Sequence, residues 1–269
     1  MQKLPIFDKH WQEFVWAFTV KEVKARYKKA ILGFLWIIIN PLLQMGMIGL
    51  IFQFFVPVKV ENYFLFLFAG LLPWNFFSYS VNKNTPMILN ERGLIKKAKF
   101  PREAVVISVV LSNLFHTLIA WAILFVILIA DKFFADKFTT LQLIQYIGRL
   151  TLTVPLIAWL TMLTIGMSLL FAALNVRFRD VNFLVQAVMP LWFYATPVVY
   201  TLNILPEVMS TLLYINPLTG LIELFHFTLL GQPVYDLRLV ILNFIASILI
   251  FILGCMVFMR EAPYFDDYV

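Results

Sequence analysis

Six long runs without a charged side chain constrain the fold of this chain more than any other feature of its sequence. A helix needs roughly 20 mostly apolar residues to cross the hydrocarbon core of a bilayer. Backbone groups in lipid find no water to bind, so each run is predicted to be a helix and not part of an open sheet. The runs cover residues 31–55, 63–81, 104–130, 150–174, 181–200 and 239–258.

The composition supports the same class of protein. Of the 269 residues, 62% are hydrophobic and 13% are charged, against about 45–50% and about 25% in an average soluble domain. We therefore predict an all-α integral membrane protein with six transmembrane helices. It forms a single transmembrane domain over residues 1–269, with its spans between residues 31 and 258.

Lysine and arginine indicate which side faces the cytoplasm. They concentrate in residues 1–30, in the loop 84–103 and in the stretch NVRFRD at 175–180. Positively charged loops stay on the cytoplasmic side. We therefore predict a multi-pass protein of the cytoplasmic (inner) membrane, with both termini, including the tail 259–269, in the cytoplasm. The net charge of +6 follows from this bias, so membrane lipids, and no nucleic acid, are the expected contacts.

Residues 201–237 do not have the pattern of an ordinary span. Their apolar stretch is interrupted by NPLTG, with Asn216, Pro217 and Gly220, and Glu223 follows closely. A helix break and a carboxylate are expensive in the middle of a bilayer. We predict two short re-entrant half-helices that turn at these residues before the last span. The alternative is a seventh span that leaves the C-terminus outside.

The segment before the first span has helical periodicity. Trp11, Phe14, Val15 and Phe18 recur at i, i+3, i+4 and i+7. This spacing predicts an N-terminal amphipathic helix in the cytoplasmic interface, with its apolar face toward the acyl chains. Two interpretations stay open: the helix is only an anchor, or it also holds a partner.

The loop 84–103 is predicted to contain a short cytoplasmic helix. Thr85 suits the N-cap, Pro86 the first helical position, and the helix ends near Gly93. Glu91 and Arg92 then project from it, and basic residues follow. The alternative is a solvated basic loop beside anionic lipid.

The short loop NVRFRD separates the fourth run from the fifth. Arg177 and Arg179 suit the negative C-terminal end of one helix, and Asp180 suits the N-cap of the next. Capping and positive-inside topology together explain all three charges. A contact with a partner subunit is a second interpretation, which the charges alone do not favour.

Aromatic residues make up 17% of the chain, and their rings can stack on the apolar faces of sugars. An ordinary aromatic belt at the membrane interface is the alternative. Asn40, Gln44, Asn75 and Asn113 are polar residues inside runs, where they either bond another helix or face a wet channel. The candidate aromatic residues of a substrate channel are Trp36, Tyr79, Trp192, Phe193, Tyr194 and Tyr200.

The sequence offers no catalytic constellation. Glu223 and His226 stand at i, i+3, as in half of a carboxylate metal site, but a second matching motif is missing. We therefore predict neither a metal site nor a catalytic residue. A phosphate loop of the type G-x-x-x-x-G-K-[ST] is also missing, so this chain is not expected to hydrolyse ATP.

Four motifs carry a resemblance to a known family. RYKKAILGFLWIIINPLLQM (26–45), NVRFRDV, ATPVVY and INPLTGLIELF (215–225) occur in order over nearly the whole chain. Together they resemble the permease subunits of ABC transporters that export polysaccharides, of the O-antigen and teichoic acid types. The resemblance implies a homodimeric channel, two copies of a separate ATPase that bind ATP and Mg²⁺, and a lipid-linked glycan as substrate.

The same resemblance implies that two cytoplasmic loops contact the ATPase. The residues expected to couple ATP hydrolysis to transport are Glu91, Arg92, Lys96, Lys97, Arg177, Arg179 and Asp180. O-antigen-like polysaccharide is the first expectation for the substrate, and teichoic acid is the second. A drug or lipid ABC exporter, an ion-driven secondary transporter and a membrane enzyme remain as alternatives. Spans without charge argue against the ion-driven mechanism.

Overall fold

The computed structural model describes residues 9–28, 33–55, 60, 62–97, 100–134, 140–206 and 213–265. Within these ranges the secondary structure is helical, without a strand, as predicted. The helices are α1 (Lys9–Tyr27), α2 (Trp36–Phe55), α3 (Tyr63–Asn84), α4 (Met87–Asn90), α5 (Arg92–Lys97), α6 (Glu103–Phe134), α7 (Thr140–Thr151), α8 (Thr153–Arg177), α9 (Asp180–Tyr194), α10 (Thr219–Leu230) and α11 (Leu237–Glu261).

Four helical stretches in the described part of the chain are long and apolar enough to cross a membrane. Each contains one of the predicted spans: Tyr63–Asn84, Glu103–Ala130, Gln145–Arg177 and Leu237–Tyr264. Helix α2, Trp36–Phe55, lies inside the predicted span 31–55, and its stretch Trp36–Phe52 is apolar but shorter than the other four.

Helix α9 ends at Tyr194, before the predicted boundary at residue 200. The chain turns at Ala195 and Thr196, whose N–H groups donate to Leu191 O and Phe193 O over 3.0 and 3.2 Å. Pro197 follows and supplies no N–H with which to continue a helix. The apolar run 181–200 is therefore longer than α9, the helix that it was predicted to form.

Helices α8 and α11 cross at two glycines. A Cβ atom added to Gly254 would lie 2.0 Å from Gly166 O, and one added to Gly166 would lie 2.5 Å from Phe251 Cα. Small residues let membrane helices approach to backbone contact, where dispersion acts over many atoms. Away from the crossing, the Trp159 indole N–H donates to Ser247 Oγ over 2.8 Å.

Helix α3 is enclosed by its neighbours, whereas α11 is not. Phe66, Leu67 and Phe77 of α3 are almost fully buried, and α3 contacts α2, α6, α8 and α10. On α11 the side chains of Leu249 and Leu253 are exposed. An apolar face that is exposed on a helix of this length suits contact with lipid or with another membrane helix.

Helix α1 packs on protein, and the prediction that its apolar face lies on acyl chains is wrong for Val15 and Phe18. Both are buried, Phe18 in a cluster with Met87, Val105 and Val109. On α6 the small residue Ser108 lets α1 approach closely, and its hydroxyl donates to Val15 O over 3.1 Å. The aromatic side chain that α1 leaves exposed is instead Trp16, at 71%.

The predicted re-entrant region is described in part. A short 3₁₀ turn spans Leu202–Ile204, and the position of the first half-helix falls largely on residues 207–212, outside the described ranges. The second half-helix corresponds to α10, and the predicted break at Asn216 and Pro217 is a turn that precedes it, with Thr219 N donating to Asn216 O over 3.1 Å.

Candidate functional site

The loop 84–103 and the loop NVRFRD meet at one end of the helix bundle. Ile88 of α4 is fully buried in an apolar cluster with Val176, which immediately precedes the first arginine of NVRFRD. Phe258 and Phe265, from the end of α11 and the turn after it, complete the cluster. The two loops predicted to act together therefore share a hydrophobic core, which their separation in sequence did not reveal.

The first loop contains two short helices, α4 and α5, rather than one. Thr85 is not their N-cap: its backbone is helical and continues α3, and its hydroxyl donates to Val81 O over 2.8 Å. Pro86 takes the position before α4 instead. A threonine hydroxyl that donates to the carbonyl four residues back is engaged within the preceding helix. That bond competes with capping the N-terminus of the next helix.

Two ion pairs join α1 to its neighbours, one to this loop and one to the end of α3 just before the loop. Lys21 Nζ lies 2.9 Å from Glu91 Oε1, and Lys83 Nζ lies 2.5 Å from Glu22 Oε2, whose side chain is almost fully buried. Glu91 was predicted to project from the loop, and here it is paired within the chain. Glu22 was not among the predicted site residues, although it lies one helical turn after Phe18 and therefore on the same side of α1.

Arg92 is exposed and has no ion-pair partner among the residues that the structure covers. It stands at the first position of α5, beside the paired Glu91. Lys96 and Lys97 lie in the same helix, and their side chains are outside the described set. Among the predicted coupling residues of this loop whose side chains are described, Glu91 is paired and Arg92 is available to bind a partner.

In NVRFRD the fixed residue is Asn175, not Asp180. Asn175 is almost fully buried, and its Oδ1 accepts from Asn182 N over 3.1 Å, which satisfies an N–H in the first turn of α9. Asp180 is the first residue of α9 and makes no capping bond, so its predicted role as N-cap is wrong. The Asn175 side chain, near the end of α8, therefore bonds the first turn of α9. The spacing of residues along the chain does not predict this contact.

The charges of NVRFRD differ in how far they are engaged. Arg177 Nη1 lies 3.7 Å from Glu261 Oε1, and its guanidinium lies 5.4 Å from the ring of Phe178. Arg179 and Asp180 are exposed, and no hydrogen bond or ion pair joins either side chain to another residue in the described ranges. Two opposite charges at this corner are thus open to a partner.

Near the C-terminal end of α9, the side chain of Asn216 stabilises a turn through hydrogen bonds from all of its polar groups. Its Oδ1 accepts from the Trp192 indole N–H over 2.9 Å and from Leu218 N over 3.1 Å. Its Nδ2 donates to Ala195 O and to Thr196 Oγ1 over 3.1 and 2.9 Å. Both lone-pair directions of the oxygen and both N–H groups are therefore occupied.

Gly220 lies against α11 at the start of α10. A Cβ atom there would lie 2.9 Å from Val240 Cα, and Gly220 N donates to Asn243 Oδ1 over 2.7 Å. Beside it, the Tyr214 hydroxyl donates to Asp236 Oδ2 over 2.6 Å. This bond, together with one from Arg238 N, lowers the pKa of Asp236, so its contribution to stability is lost as the pH falls through that lowered pKa.

The six candidate aromatic residues fall into three pairs. Trp192 and Phe193 are packed inside the chain, with ring centroids 5.3 Å from Phe77 and 5.5 Å from Trp74. Tyr194 is exposed, and its backbone carbonyl accepts from the Tyr200 hydroxyl over 3.0 Å.

Trp36 and Tyr79 instead line one cavity of about 290 Å³ between α1, α2, α3 and α6. Asn75 also lines it, and its amide donates to Gln44 Oε1 of α2 over 2.8 Å. Of the two interpretations offered for the polar residues inside the runs, bonding to another helix is confirmed for this pair.

Glu223 and His226, which stand at i, i+3, have different partners in the structure. Glu223 Oε2 accepts from Tyr235 N over 3.1 Å, whereas His226 is buried with its ring stacked on Phe66, 3.8 Å between centroids. In the described part of the chain, no three His, Cys, Asp or Glu side chains are grouped to hold a metal ion. The pair therefore serves the packing of α10.

Long apolar helices that pack into a bundle with charged loops at one end are the features of a multi-pass membrane protein. Residues 13–230 match the family model described as ABC-2 type transporter. The chain belongs to the ABC-2 type transporter family, and the resemblance inferred from its motifs is confirmed.

Individual relatives agree with the family. The chain is 34% identical to the O-antigen export system permease protein RfbA of Myxococcus xanthus over 203 residues, which cover 75% of this chain and 74% of that protein. An RfbA of Klebsiella pneumoniae is also 34% identical, over 76% of this chain and 75% of that protein. The polysialic acid transport protein KpsM of Escherichia coli is 23% identical, over 86% of this chain and 85% of that protein.

Proposed function

We propose that this chain is the transmembrane permease subunit of an ATP-driven exporter that moves a lipid-linked, O-antigen-like polysaccharide across the cytoplasmic membrane. The observation that carries the substrate class is the 34% identity, over three quarters of the chain, to permeases named for O-antigen export. Six membrane crossings, a re-entrant region at the outer face and cytoplasmic termini belong to the same proposal.

Two copies of the chain form the channel, and two copies of a separate ATPase, which bind ATP and Mg²⁺, drive it. The arrangement of the charged end supports this part of the proposal. Arg92 and Arg179 are exposed and unpaired in the described ranges, on two loops that share the core around Ile88. Closure of a docked ATPase would displace both loops together, because a packed core transmits strain instead of absorbing it.

The ion pairs to α1 extend the same mechanism. Lys21–Glu91 binds α1 to the loop that is proposed to receive the ATPase, and Lys83–Glu22 binds α1 to the end of α3 just before that loop. A shift of α4 and α5 would therefore be passed to α1, and α2 follows α1 in the chain. This is the route by which ATP hydrolysis is proposed to reach the first span.

Co-purification tests the partnership. The tagged chain is expressed with the ATPase encoded beside it, and the amount of bound ATPase is measured in wild type, Arg92→Glu and Arg179→Glu. We expect a stable complex near one-to-one that loses most of its ATPase in either variant. Arg238→Glu is the matched control, since Arg238 is exposed at the start of α11, where α11 is farthest from both loops.

A folded, inserted chain that binds no ATPase in the wild type would contradict ATP coupling. Equal loss in Arg238→Glu would show a general effect of charge, not docking. The substrate is tested separately in cells that lack the gene, by following surface polysaccharide after complementation. Export that stops on ATP depletion and survives the loss of ion gradients is the expected result, and the reverse would favour the ion-driven alternative.

A further inference from the structure

The cavity between α1, α2, α3 and α6 has the size of a headgroup site. At about 290 Å³ it lies at the lower limit of small-molecule sites, which enclose about 300–1,000 Å³. An extended glycan does not fit in that volume, whereas one compact charged group does. Tyr79, which lines the cavity, is itself exposed.

Its charge is positive. The Arg26 guanidinium donates to Asn113 Oδ1, and Asn113 is held in turn by a bond from its Nδ2 to Ser80 Oγ over 3.0 Å. No acidic residue is among those that line the cavity, and no carboxylate in the described ranges pairs with Arg26. The arginine is thus oriented by a neutral amide, which leaves its charge uncompensated.

Two further donors line the same space. The Tyr79 hydroxyl and the Asn40 amide border the cavity, and neither has a hydrogen-bond partner among the residues that the structure covers. A fixed guanidinium with neighbouring N–H and O–H donors is the arrangement that binds phosphate oxygens, since guanidinium geometry matches two of them at once.

Apart from Asn75, His116 and Thr117, the rest of the lining is apolar or aromatic, which suits a phosphate that is attached to a lipid. Leu72, Phe76 and Ala120 form the wall beyond the donors. Tyr79 precedes the end of α3 at Asn84 by about five residues, or roughly 7 Å of helix. The headgroup layer of a bilayer is roughly 5–8 Å thick on each side. Because the predicted span 63–81 ends beside Tyr79, we expect this part of the cavity near the depth where a lipid carries its phosphate.

We propose that this cavity binds the anionic phosphate headgroup of a membrane lipid, with Arg26 as the group that pairs with the phosphate. The site goes beyond the proposed function, because it accepts a phosphate-bearing lipid whether or not the exported glycan is O-antigen-like. A lipid-linked substrate with a phosphate at the junction of lipid and sugar would meet the same donors.

The test measures lipid bound to the purified full-length chain in detergent by native mass spectrometry. Dioleoyl phosphatidic acid is compared with dioleoylglycerol, which has the same acyl chains without the phosphate, and with inorganic phosphate alone. We expect phosphatidic acid to bind at least about tenfold more tightly than either, which corresponds to one charge-assisted bond.

Variants locate the binding. Arg26→Gln should weaken phosphatidic acid binding about tenfold or more, and Arg26→Lys by less, because the charge remains. Lys24→Gln is the matched control: it removes the same charge from an exposed position on α1 that does not line the cavity. Asn113→Asp is a second, nearly isosteric variant, whose carboxylate would neutralise Arg26 in place and produce the same loss if Arg26→Gln fails to fold.

Three outcomes would overturn the proposal. Equal binding of dioleoylglycerol would mean that the headgroup is not recognised. Equal binding of inorganic phosphate, with the same dependence on Arg26, would mean that the ligand is a free anion. Equal loss in Lys24→Gln would mean that surface charge, not the cavity, holds the lipid. No ATPase is needed for any of these measurements, so their failure is distinct from failure of the proposed function.

Discussion

Two turns at opposite ends of α9 each depend on one asparagine, and they are built differently. Asn216 makes four hydrogen bonds, to Trp192, Ala195, Thr196 and Leu218. Asn175 makes one, to Asn182 N, and the side chains of Arg179 and Asp180, which follow it, are exposed. In the first turn every polar group of the asparagine is bonded within the chain, whereas the second turn leaves these two charges available.

The difference teaches which end of the molecule is scaffold and which is contact surface. An amide whose donors and acceptors are all used cannot change partners without leaving buried groups unpaired, which costs more than the bonds are worth in net terms. Exposed arginines lose little when they leave water for a new partner of opposite charge. We therefore expect substitutions in the Asn216 turn to affect folding, and those in NVRFRD to affect binding.

The largest expected effect is that of Asn216→Ala. Removing four bonds and leaving the Trp192 N–H unpaired should lower the free energy of unfolding by roughly 4 kcal/mol, as judged by net values of about 1 kcal/mol per bond. Thermal unfolding of the purified chain in detergent measures it. Asn203→Ala is the control, because Asn203 is exposed and has no side-chain bond in the described ranges. Equal shifts in the two variants would remove the distinction between the turns.

Gly220→Ala should follow, with a loss of roughly 2 kcal/mol. The new methyl group would meet Val240 Cα at 2.9 Å, a backbone atom that moves only if α10 and α11 separate. Gly46→Ala is the matched control: a Cβ at Gly46 meets nothing within 4 Å, and alanine favours the helix. The same melting experiment should show a neutral or slightly stabilising change there, and destabilisation at Gly46 would contradict the packing argument.

Asn175→Ala should cost roughly 1 kcal/mol, since one bond at a helix start is lost and its N–H partner remains. Asn182→Ala is the comparison, because the Asn182 side chain contacts only Gln186 at 3.4 Å on the exposed surface. If Asn175→Ala were as damaging as Asn216→Ala, NVRFRD would be scaffold as well, and the proposed contact surface would be reduced to α5.

The smallest effect on stability is expected for Arg177→Ala. Its pair with Glu261 spans 3.7 Å and the arginine is half exposed, so the pair should contribute less than about 0.5 kcal/mol and less still at high salt. Unfolding measured at low and high ionic strength checks both statements. A loss above about 1.5 kcal/mol that salt does not reduce would show that the cluster around Phe258 depends on this arginine.

The positions of the long helices follow from the sequence because hydrophobic length is a local property. The runs 63–81 and 104–130 lie inside α3 and α6, since residues without charge over that length satisfy their backbone only as helix when water is absent. The fifth run shows the limit of this argument. Its apolar character continues to Tyr200, but the turn at Ala195 and Thr196 ends the helix at Tyr194.

The candidate site was predictable in its residues and not in their roles. Arg92 and Arg179 were identified from charge and motif, and both are exposed. Glu91 was expected beside them, yet it pairs with Lys21, which lies 70 residues away in the chain. Periodicity places a residue on a helix face, but it does not say which other helix that face meets.

The sequence by itself determined the class of this protein: apolar runs of membrane length, their orientation by positive charge as a prediction, and the motifs that belong to the ABC-2 type transporter family. Only the tertiary structure decided that Val15 and Phe18 face α6, that Asn175 serves the start of α9, and that Arg26 points at Asn113 beside an open cavity. The reason is physical. A helix forms from interactions within a few residues, whereas a binding surface is made by side chains that distant segments bring into contact.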